Sequence, residues 1–571
     1  MVHDLIASRD PADIRRVKET RWSTLKAHRQ PVLHEWRDIA AHLLPLAARF
    51  ELTDVDRGSR HKQSAIVDSS PMWSLRVSKA GIRAGTASPE RKWFDFETMD
   101  PDLNRNYQVR EWLDMAVDVI MRVCSRSNVY NVLDNMWGEL LGFNTSCSIV
   151  ANSPRNVVHL YPVPVGEFCL AQDNEGHVDT MYREFEWSVG EVVDEFGLAV
   201  QSPWVKEAYR NAHLERAVQI LHAIEPRRVR NPARIDNLNM RWESTYLELG
   251  NRGNGAEGIL RQGGFDEFPV LAPRWTVTGR NVYGHGPGME VLPDIRQLQQ
   301  EQINKAKAIA YKADPPQQMP MSMKGLDREL FPGGVTFYDG QAPGSRAPIQ
   351  SAIEVNFDIR ELTEDIQWVL RRIDRAMFTD MFLMISDSTV GRESRTATEI
   401  ASLHEEKLLQ LGPTLQRLEG EGLRPLVDIL FRRVMRLGLL PPPPAELEDQ
   451  ELNVVFVGIL AQAQRRLGMD AIDRWTNNTI NLGQFKPEAL DKINVDELVD
   501  VSARRLGVEQ RIVVPTEKAQ RLREARNQAL AAKEQLEAAE GMGRVAKDMA
   551  SAGAGAGGGA VPDLVPQSNG L

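Results

Sequence analysis

Two hydrophobic spacings divide the chain. From Asp10 to Pro45 the apolar residues Ile14, Val17, Leu25, Val32, Trp36, Ile39 and Leu43 recur roughly at helical spacing, which predicts a long amphipathic helix. Asp10 suits the N-cap, Pro11 suits the first turn, and Pro45 stops the run. Pro31 sits inside it and should kink or split it, because proline has no amide hydrogen to donate. "SAIVDSSPMWSLRVSKAGIRAG" reads as a second helix and "SPERKWFDFE" as a turn leading into a strand, with residues near 104–140 helical again. From "TSCSIVANSP" to about Thr278 the character becomes β-rich, with alternation through "VVHLYPVPVGEFCLAQDNEGHVDTMYREFEW" and a turn at Asn174-Glu175-Gly176. "TYLELG" and "GFDEFPVLAPRWTVTG" continue in that style around the glycine-rich loop "GNRGNGAEG".

Helical spacing then returns. "GMEVLPDIRQLQQEQINKAKAIAYKA" would span roughly 39 Å as a continuous helix. "DPPQQMPMSMKG" breaks it and "GGVTFYDG" offers a short strand. The clearest stripe follows, with Ile359, Leu362, Ile366, Leu370, Ile373, Met377 and Met381 stepping by three or four. After the polar "SDSTVGRES", a long helical pattern runs from about Thr396 to Leu437, with Pro413 as the expected kink. The "PPPP" at 441–444 is a stiff spacer, "ELNVVFVGI" a strand, and Thr516 to Ala550 an alanine-rich helix. The closing "SAGAGAGGGAVPDLVPQSNGL" has too little apolar content to fold.

Composition narrows the class. The 571 residues exceed what one simple core holds and predict two to four packed units. No apolar run reaches about 18 residues, and the N-terminus lacks the pattern of a signal peptide, so the chain reads as soluble and made in a cytoplasm. Cys124, Cys147 and Cys169 form no CxxC pair and read as small buried hydrophobes. A net charge of −10 argues against tight duplex binding over a broad basic surface; any DNA contact must be light or confined to a local patch.

The glycine-rich "NVYGHGPGMEVLPDIRQLQQ" poses the chemical question. A dinucleotide loop needs a third glycine where Met289 stands after Gly284 and Gly286, and a P-loop needs a Gly-Lys-Ser/Thr ending that occurs nowhere in the chain. The remaining reading is a structural joint: glycines allow an unusual backbone path, and Pro287 starts a helix. "DNEGHVD" misses the spacing of a calcium loop and fits a hairpin turn. There is no HExxH or GxSxG motif, although distant His, Asp and Glu residues could still converge. No catalytic residue, metal or cofactor is assigned.

The order of these pieces resembles a known family, the head-to-tail connector or portal protein of short-tailed tailed bacteriophages. The resemblance runs from about residue 10 to 510. It is carried by Arg29, Trp36 and Pro45, "SPERKWF" at 88–94, "LYPVPVGEF" at 160–168 and "DNEGHVDTMYREF" after it. The most specific parts are "RWTVTGRNVYGHGPGMEVLPDIRQLQ" at 274–299 and "RTATEIASLHEEKLLQLGPTLQRLEGEGLRPLV" at 395–427, with "ELNVVFVGILAQAQRR" at 451–466 completing the set.

The resemblance implies a mixed α/β, helix-dominated portal fold of wing, stem, clip and crown. It implies a ring, typically of twelve copies, around an axial channel at one capsid vertex of the virion, synthesised in the host bacterial cytoplasm. Double-stranded DNA would pass without sequence specificity during packaging and ejection. The further partners implied are the terminase large subunit, major capsid and scaffolding proteins, and tail adaptor or nozzle proteins, with no membrane and no cofactor.

Laid on this sequence, 1–286 would be wing, 287–314 the first stem helix, 315–354 the clip and 355–384 the second stem helix. Residues 385–396 would be the tunnel loop, 397–514 the wing return, 515–550 the crown helix and 551–571 a disordered tail. Candidate channel-lining residues are Ser386, Asp387, Ser388, Thr389, Arg392, Glu393 and Arg395; for the two arginines, DNA contact and structural pairing both stand. Lys305, Lys307 and Lys312 are candidate DNA-facing stem residues, against the plainer reading of a solvated face with a Glu301–Lys305 surface pair. Gln317, Gln318, Met319, Phe337 and Tyr338 are candidate clip residues. Twelve copies would carry about −120, screened beyond ~8–10 Å, a wall along which DNA slides rather than binds. The rivals are another ring component of the connector, such as an adaptor, and a metal-dependent nuclease or ATPase acting on phage DNA.

Overall fold

The computed structural model describes residues 10–50, 65–100, 103–250 except 235, 258–315, 317–320, 335–338, 350–351, 358–386, 411–447, 452–458, 469–486, 492–506 and 518–533, with a few isolated positions besides. The chain divides into two units, Met1–Asn104 with Gln108–Gly468, and Arg105–Tyr107 with Met469–Leu571. The elements form a helix-rich α/β protein.

In the larger unit, α1 (Pro11–His42) begins at Asp10, whose carboxylate accepts the Ala12 amide at 2.9 Å. The helix is not split at Pro31 but runs through it. Pro31 lies on the exposed side, where water can satisfy the carbonyl that loses its donor. The opposite side buries Trp22, Leu25, Leu33, Trp36 and Ile39. Arg29, also buried, donates to the carbonyls of Gly166 and Phe168, and the Trp36 indole donates to that of Phe143 at 3.0 Å. Two residues of the opening motif thus tie α1 to segments more than a hundred positions away.

The next helix, α2 (Ser70–Gly85), is followed by β1 (Phe94–Thr98), α3 (Tyr107–Arg126) and α4 (Val129–Phe143). The last is buried nearly all round, as its apolar sequence requires. A three-stranded sheet has the order β3-β2-β9, formed by β2 (Ser148–Ser153), β3 (Val157–Pro162) and β9 (Val270–Leu271). The larger sheet is an antiparallel meander of β4 (Phe168–Gln172), β5 (Val178–Ser188), β6 (Ala217–Pro226), β7 (Trp242–Glu248) and β8 (Ile259–Phe265). Between β5 and β6 stand two short helices that the alternation did not reveal, α5 (Val189–Phe196) and α6 (Pro203–Arg210). Each starts at a serine cap, Ser188 with Glu191 in a capping box and Ser202. α1 seats on this sheet through Lys18, wedged between Glu225 and Glu243, and through Trp22 stacked on Tyr182.

Beyond the sheets come α7 (Pro287–Ala313), then β10 (Gln317–Pro320), β11 (Val335–Tyr338) and β12 (Gln350–Ser351) in a small sheet of their own, then α8 (Ile359–Ala376) and α9 (Thr379–Ser386). Helical structure at 411–418 continues into a π-helical turn, Glu419–Leu423, and then α10 (Arg424–Arg436). The π-helical turn is the irregularity among the described residues of this segment; the turn before Pro413, where the kink was expected, lies outside them. β13 (Leu452–Phe456) pairs antiparallel with β1, Phe94 opposite Phe456, which draws distant parts of the chain together. The smaller unit holds α11 (Met469–Phe485), α12 (Val495–Leu506) and a helical stretch at 518–533, where Arg523 grips both carboxylate oxygens of Asp496. Cys124, Cys147 and Cys169 are buried and free, and burial pushes the Cys124 and Cys169 thiols up to about 12.

Candidate functional site: the glycine joint and the paired helices

The glycine-rich segment ahead of α7 is a joint, for a reason sequence alone did not supply. None of Gly284, Gly286 and Gly288 has the left-handed backbone for which glycine is usually kept. Each lies where a side chain has no room. A Cβ on Gly284 would fall 2.4 Å from the Asn144 carbonyl oxygen, on Gly286 2.3 Å from the Trp275 ring, and on Gly288 1.7 Å from the Gly142 carbonyl oxygen. The start of α7 is therefore packed on the end of α4, where the carbonyl-rich terminus of one helix meets the amide-rich terminus of the other. The Gly284 amide is taken by Thr145 Oγ1 at 2.9 Å. Protein atoms occupy the place a phosphate would need.

From that joint α7 runs against α8. Asp294 receives Arg372 at 2.8 Å, and seven residues further along, Glu301 faces Asp365. As one number rises the other falls by the same step, so the helices are antiparallel. Val291, Ile295 and Leu298 on α7 are buried, as are Ile366, Val369 and Ile373 on α8. The expected stripe is thus buried at Ile366, Ile373, Met377 and Met381; Leu362 and Leu370 are half-buried, Val369 joins the buried set, and the side chain of Ile359 lies outside what the structure describes. α2 closes over α8 and α9: Ser74 Oγ donates to Asp374 on α8, and Gly81 lies so near Phe382 on α9 that a Cβ would come within 2.1 Å of its ring. Gln299, buried on α7, binds the chain leading into α2 by accepting the Val67 and Asp68 amides at 2.7 and 2.8 Å.

The lysines of α7 sit on its far half. Lys307 and Lys312 are exposed and Lys305 is half-buried, and no carboxylate lies within salt-bridge distance of them among the described residues. The surface pair expected between Glu301 and Lys305 is not made; Glu301 accepts from Gln297 at 2.6 Å and faces Asp365. Its carboxyl is held above its usual range, by desolvation first, with Asp365 adding repulsion. Lys305 and Lys312, seven apart, share a helix face; Lys307 points nearly opposite. Gln317, Gln318 and Met319 lie on β10, with Phe337 and Tyr338 on β11, and the parallel register sets Met319 beside Phe337. Ser386 ends α9, whereas Asp387, Ser388, Thr389, Arg392, Glu393 and Arg395 lie outside the described residues.

Two features escaped sequence reasoning. Arg274, 1% exposed, binds Glu421 through Nη2 at 2.7 Å and Nε at 3.0 Å, while its own amide donates to the same carboxylate at 3.1 Å. The guanidinium also reaches Gln172 and the carbonyls of Gly176 and Val282. Glu421 stands in the π-helical turn between Gly420 and Gly422, so the widened turn aims its carboxylate at the sheet domain. Both residues belong to the two most specific motifs, yet no local pattern joins positions 147 apart. The second feature is a cavity of about 720 Å³ between the loop after α1, α2 and α4, lined by Leu43, Leu46, Met72, Leu75, Lys79 and Glu139 among others. Burial raises the Glu139 carboxyl to about 8, against the opposing pull of a 2.5 Å hydrogen bond from Ser146 and the charge of Lys79.

The β4–β5 turn brings ligand atoms of Asp173, Glu175 and His177 within 4.8 Å of one another. Asp173 Oδ1 also accepts the Glu175 and His177 amides, each at 2.9 Å, which is the hairpin turn expected there.

What these residues build is a scaffold of long paired helices locked to a β-rich body, the construction of a structural connector. A family model for the bacteriophage head to tail connecting protein matches residues 16–513. The "Probable portal protein" of Bordetella phage BPP-1 is 40% identical over 501 residues, spanning 88% of this chain and 89% of the relative. The "Portal protein" of Salmonella phage epsilon15 is 35% identical over 503 residues, with the same coverage. The chain belongs to the bacteriophage head-to-tail connecting protein family, and its role is that of a phage portal, or head–tail connector.

Proposed function

We propose that copies of this chain close into a ring, typically of twelve, whose axial channel carries double-stranded DNA into the head during packaging and out during ejection. In this reading 1–286 is wing, 287–314 and 355–384 are stem, 315–354 is clip, 385–396 is tunnel loop, 397–514 is wing return, 515–550 is crown and 551–571 is tail. The clip, with Gln317, Gln318, Met319, Phe337 and Tyr338, docks the terminase large subunit and later tail adaptor or nozzle proteins. The wing meets major capsid and scaffolding proteins. Ser386, Asp387, Ser388, Thr389, Arg392, Glu393 and Arg395 line the channel, with Lys305, Lys307 and Lys312 giving weak phosphate contacts along the stem. The protein does no chemistry of its own.

The observation that carries this reading is the antiparallel α7–α8 pair with a small separate sheet on the chain between its helices. Such a pair sets a rigid post on the body and presents an independent tip at its far end. A ring repeats that post around an axis by heterologous contacts that close by rotation. Electron microscopy of the purified chain tests it: rings with a central hole are expected. Monomers alone, at every concentration and salt condition, would refute it.

A further inference from the structure

The chain is acidic overall, with 79 acids against 69 Lys and Arg, yet one loop inverts that balance. Between β6 and β7, residues 227–241 carry five arginines, one aspartate and no lysine. Arg227 is a structural brace: it donates to the carbonyls of Met240 at 3.1 Å and Gly263 at 2.8 Å and lies 3.7 Å from Glu243. The arms of the loop are tied by the Arg227 amide on the Arg241 carbonyl at 2.7 Å and the Asn231 amide on Asn239 Oδ1 at 3.0 Å. Asn239, buried, in turn holds Asp236 at 2.7 Å. The only acid of the loop is thus engaged inside it.

Arg228, Arg230, Arg234 and Arg241 are different. All four are exposed, and among the described residues none of their guanidinium groups has a hydrogen-bond or carboxylate partner. Four unpaired guanidiniums on a braced loop are a preset anion-binding surface, since arginine is the side chain suited to paired oxygens. Val229 and Leu238 are exposed nearby, but apolar residues scattered singly on a surface are ordinary. The adjoining β4–β5 turn carries Asp173 and Glu175, which confines the basic character to this loop.

We propose that the β6–β7 loop contacts the phosphate backbone of duplex DNA through Arg228, Arg230, Arg234 and Arg241. The inference rests on the reading that duplex DNA passes this protein, and it assigns a contact on the β-rich body, by residues other than the stem lysines. Phosphate contacts carry no sequence information, so binding is weak, indifferent to sequence and steeply salt-dependent.

The test measures binding of labelled duplexes of about 30 base pairs and two unrelated sequences to the full chain between about 50 and 200 mM salt. Four phosphate contacts contribute a slope of about −3.6 in log affinity against log salt, or about two orders of magnitude across that range. Replacing all four arginines with Gln should remove most of that slope and leave the melting temperature unchanged, while K305Q/K307Q/K312Q should change it far less. Unchanged binding by the arginine variant overturns the inference, as does no wild-type binding at the lowest salt. Polyglutamate displacing the duplex at equal charge also overturns it, in favour of an acidic protein partner. Ring formation seen by microscopy, scored in the same preparations, keeps these outcomes separate from the portal reading.

Discussion

Removing the carboxylate of Glu421 should free the helix that returns to the β-rich body. Arg274 is 1% exposed and donates two side-chain bonds and one backbone bond to that carboxylate. In E421A its charge stays buried with only Gln172 and the carbonyls of Gly176 and Val282 around it. Breaking one side of a buried ion pair costs about 3–5 kcal/mol. The three neutral acceptors that remain, and the 17% exposure of Glu421 itself, place the effect near ~3 kcal/mol. Native-state hydrogen exchange over residues 411–436 reads this directly, because ~3 kcal/mol of local stability corresponds to about two orders of magnitude in exchange rate. An apolar pair, R274M/E421L, should recover most of the protection, since no charge is then stranded. Wild-type exchange rates in E421A would refute the lock. A double variant as loose as the single would show that lost packing, not the unpaired cation, is the cause.

Three further outcomes follow from the same geometry. G288A places a Cβ 1.7 Å from the Gly142 carbonyl, so thermal melting should show a loss of about 3 kcal/mol or more, whereas G263A, with open space around it, should be silent; equal melting of the two would remove the steric account of the joint. Glu139, raised by burial to about 8 from an unfolded value near 4.5, keeps a proton that the unfolded chain has lost between those values. Its contribution is complete below about pH 4.5 and is lost as pH rises towards 8, at up to about 1.4 kcal/mol per unit. E139Q should flatten that slope in urea midpoints taken across the range, and parallel slopes in variant and wild type would rule the group out. I366D/I373D puts two charges into the buried α7–α8 contact and should abolish soluble assembly by size-exclusion chromatography; rings of normal size would show that the stripe is not a packed face.

Much of the helical layout was legible because periodicity is a local property. The long first helix, the stripe from Ile366 to Met381 and the strand at Leu452–Phe456 all lay where the spacing put them. Local rules failed where tertiary surroundings outweighed them. α1 is not split at Pro31 because that side of it faces solvent, and α5 and α6 were hidden in a region read as β-rich. The Glu301–Lys305 pair gave way because Glu301 takes its hydrogen bond from Gln297, one turn earlier on the same helix.

By itself the sequence determined the family, through an ordered set of motifs, and the existence of most helices and strands, through the spacing of apolar residues. Tertiary structure alone decided why those motifs have the residues they do. Gly288 is small because Gly142 lies against it; Arg274 is charged because Glu421 waits 147 positions away; Arg29 is polar because two carbonyls of another segment need a donor. Neighbours in sequence set backbone preference, but steric room and charge pairing belong to neighbours in space, and only the folded chain brings those together.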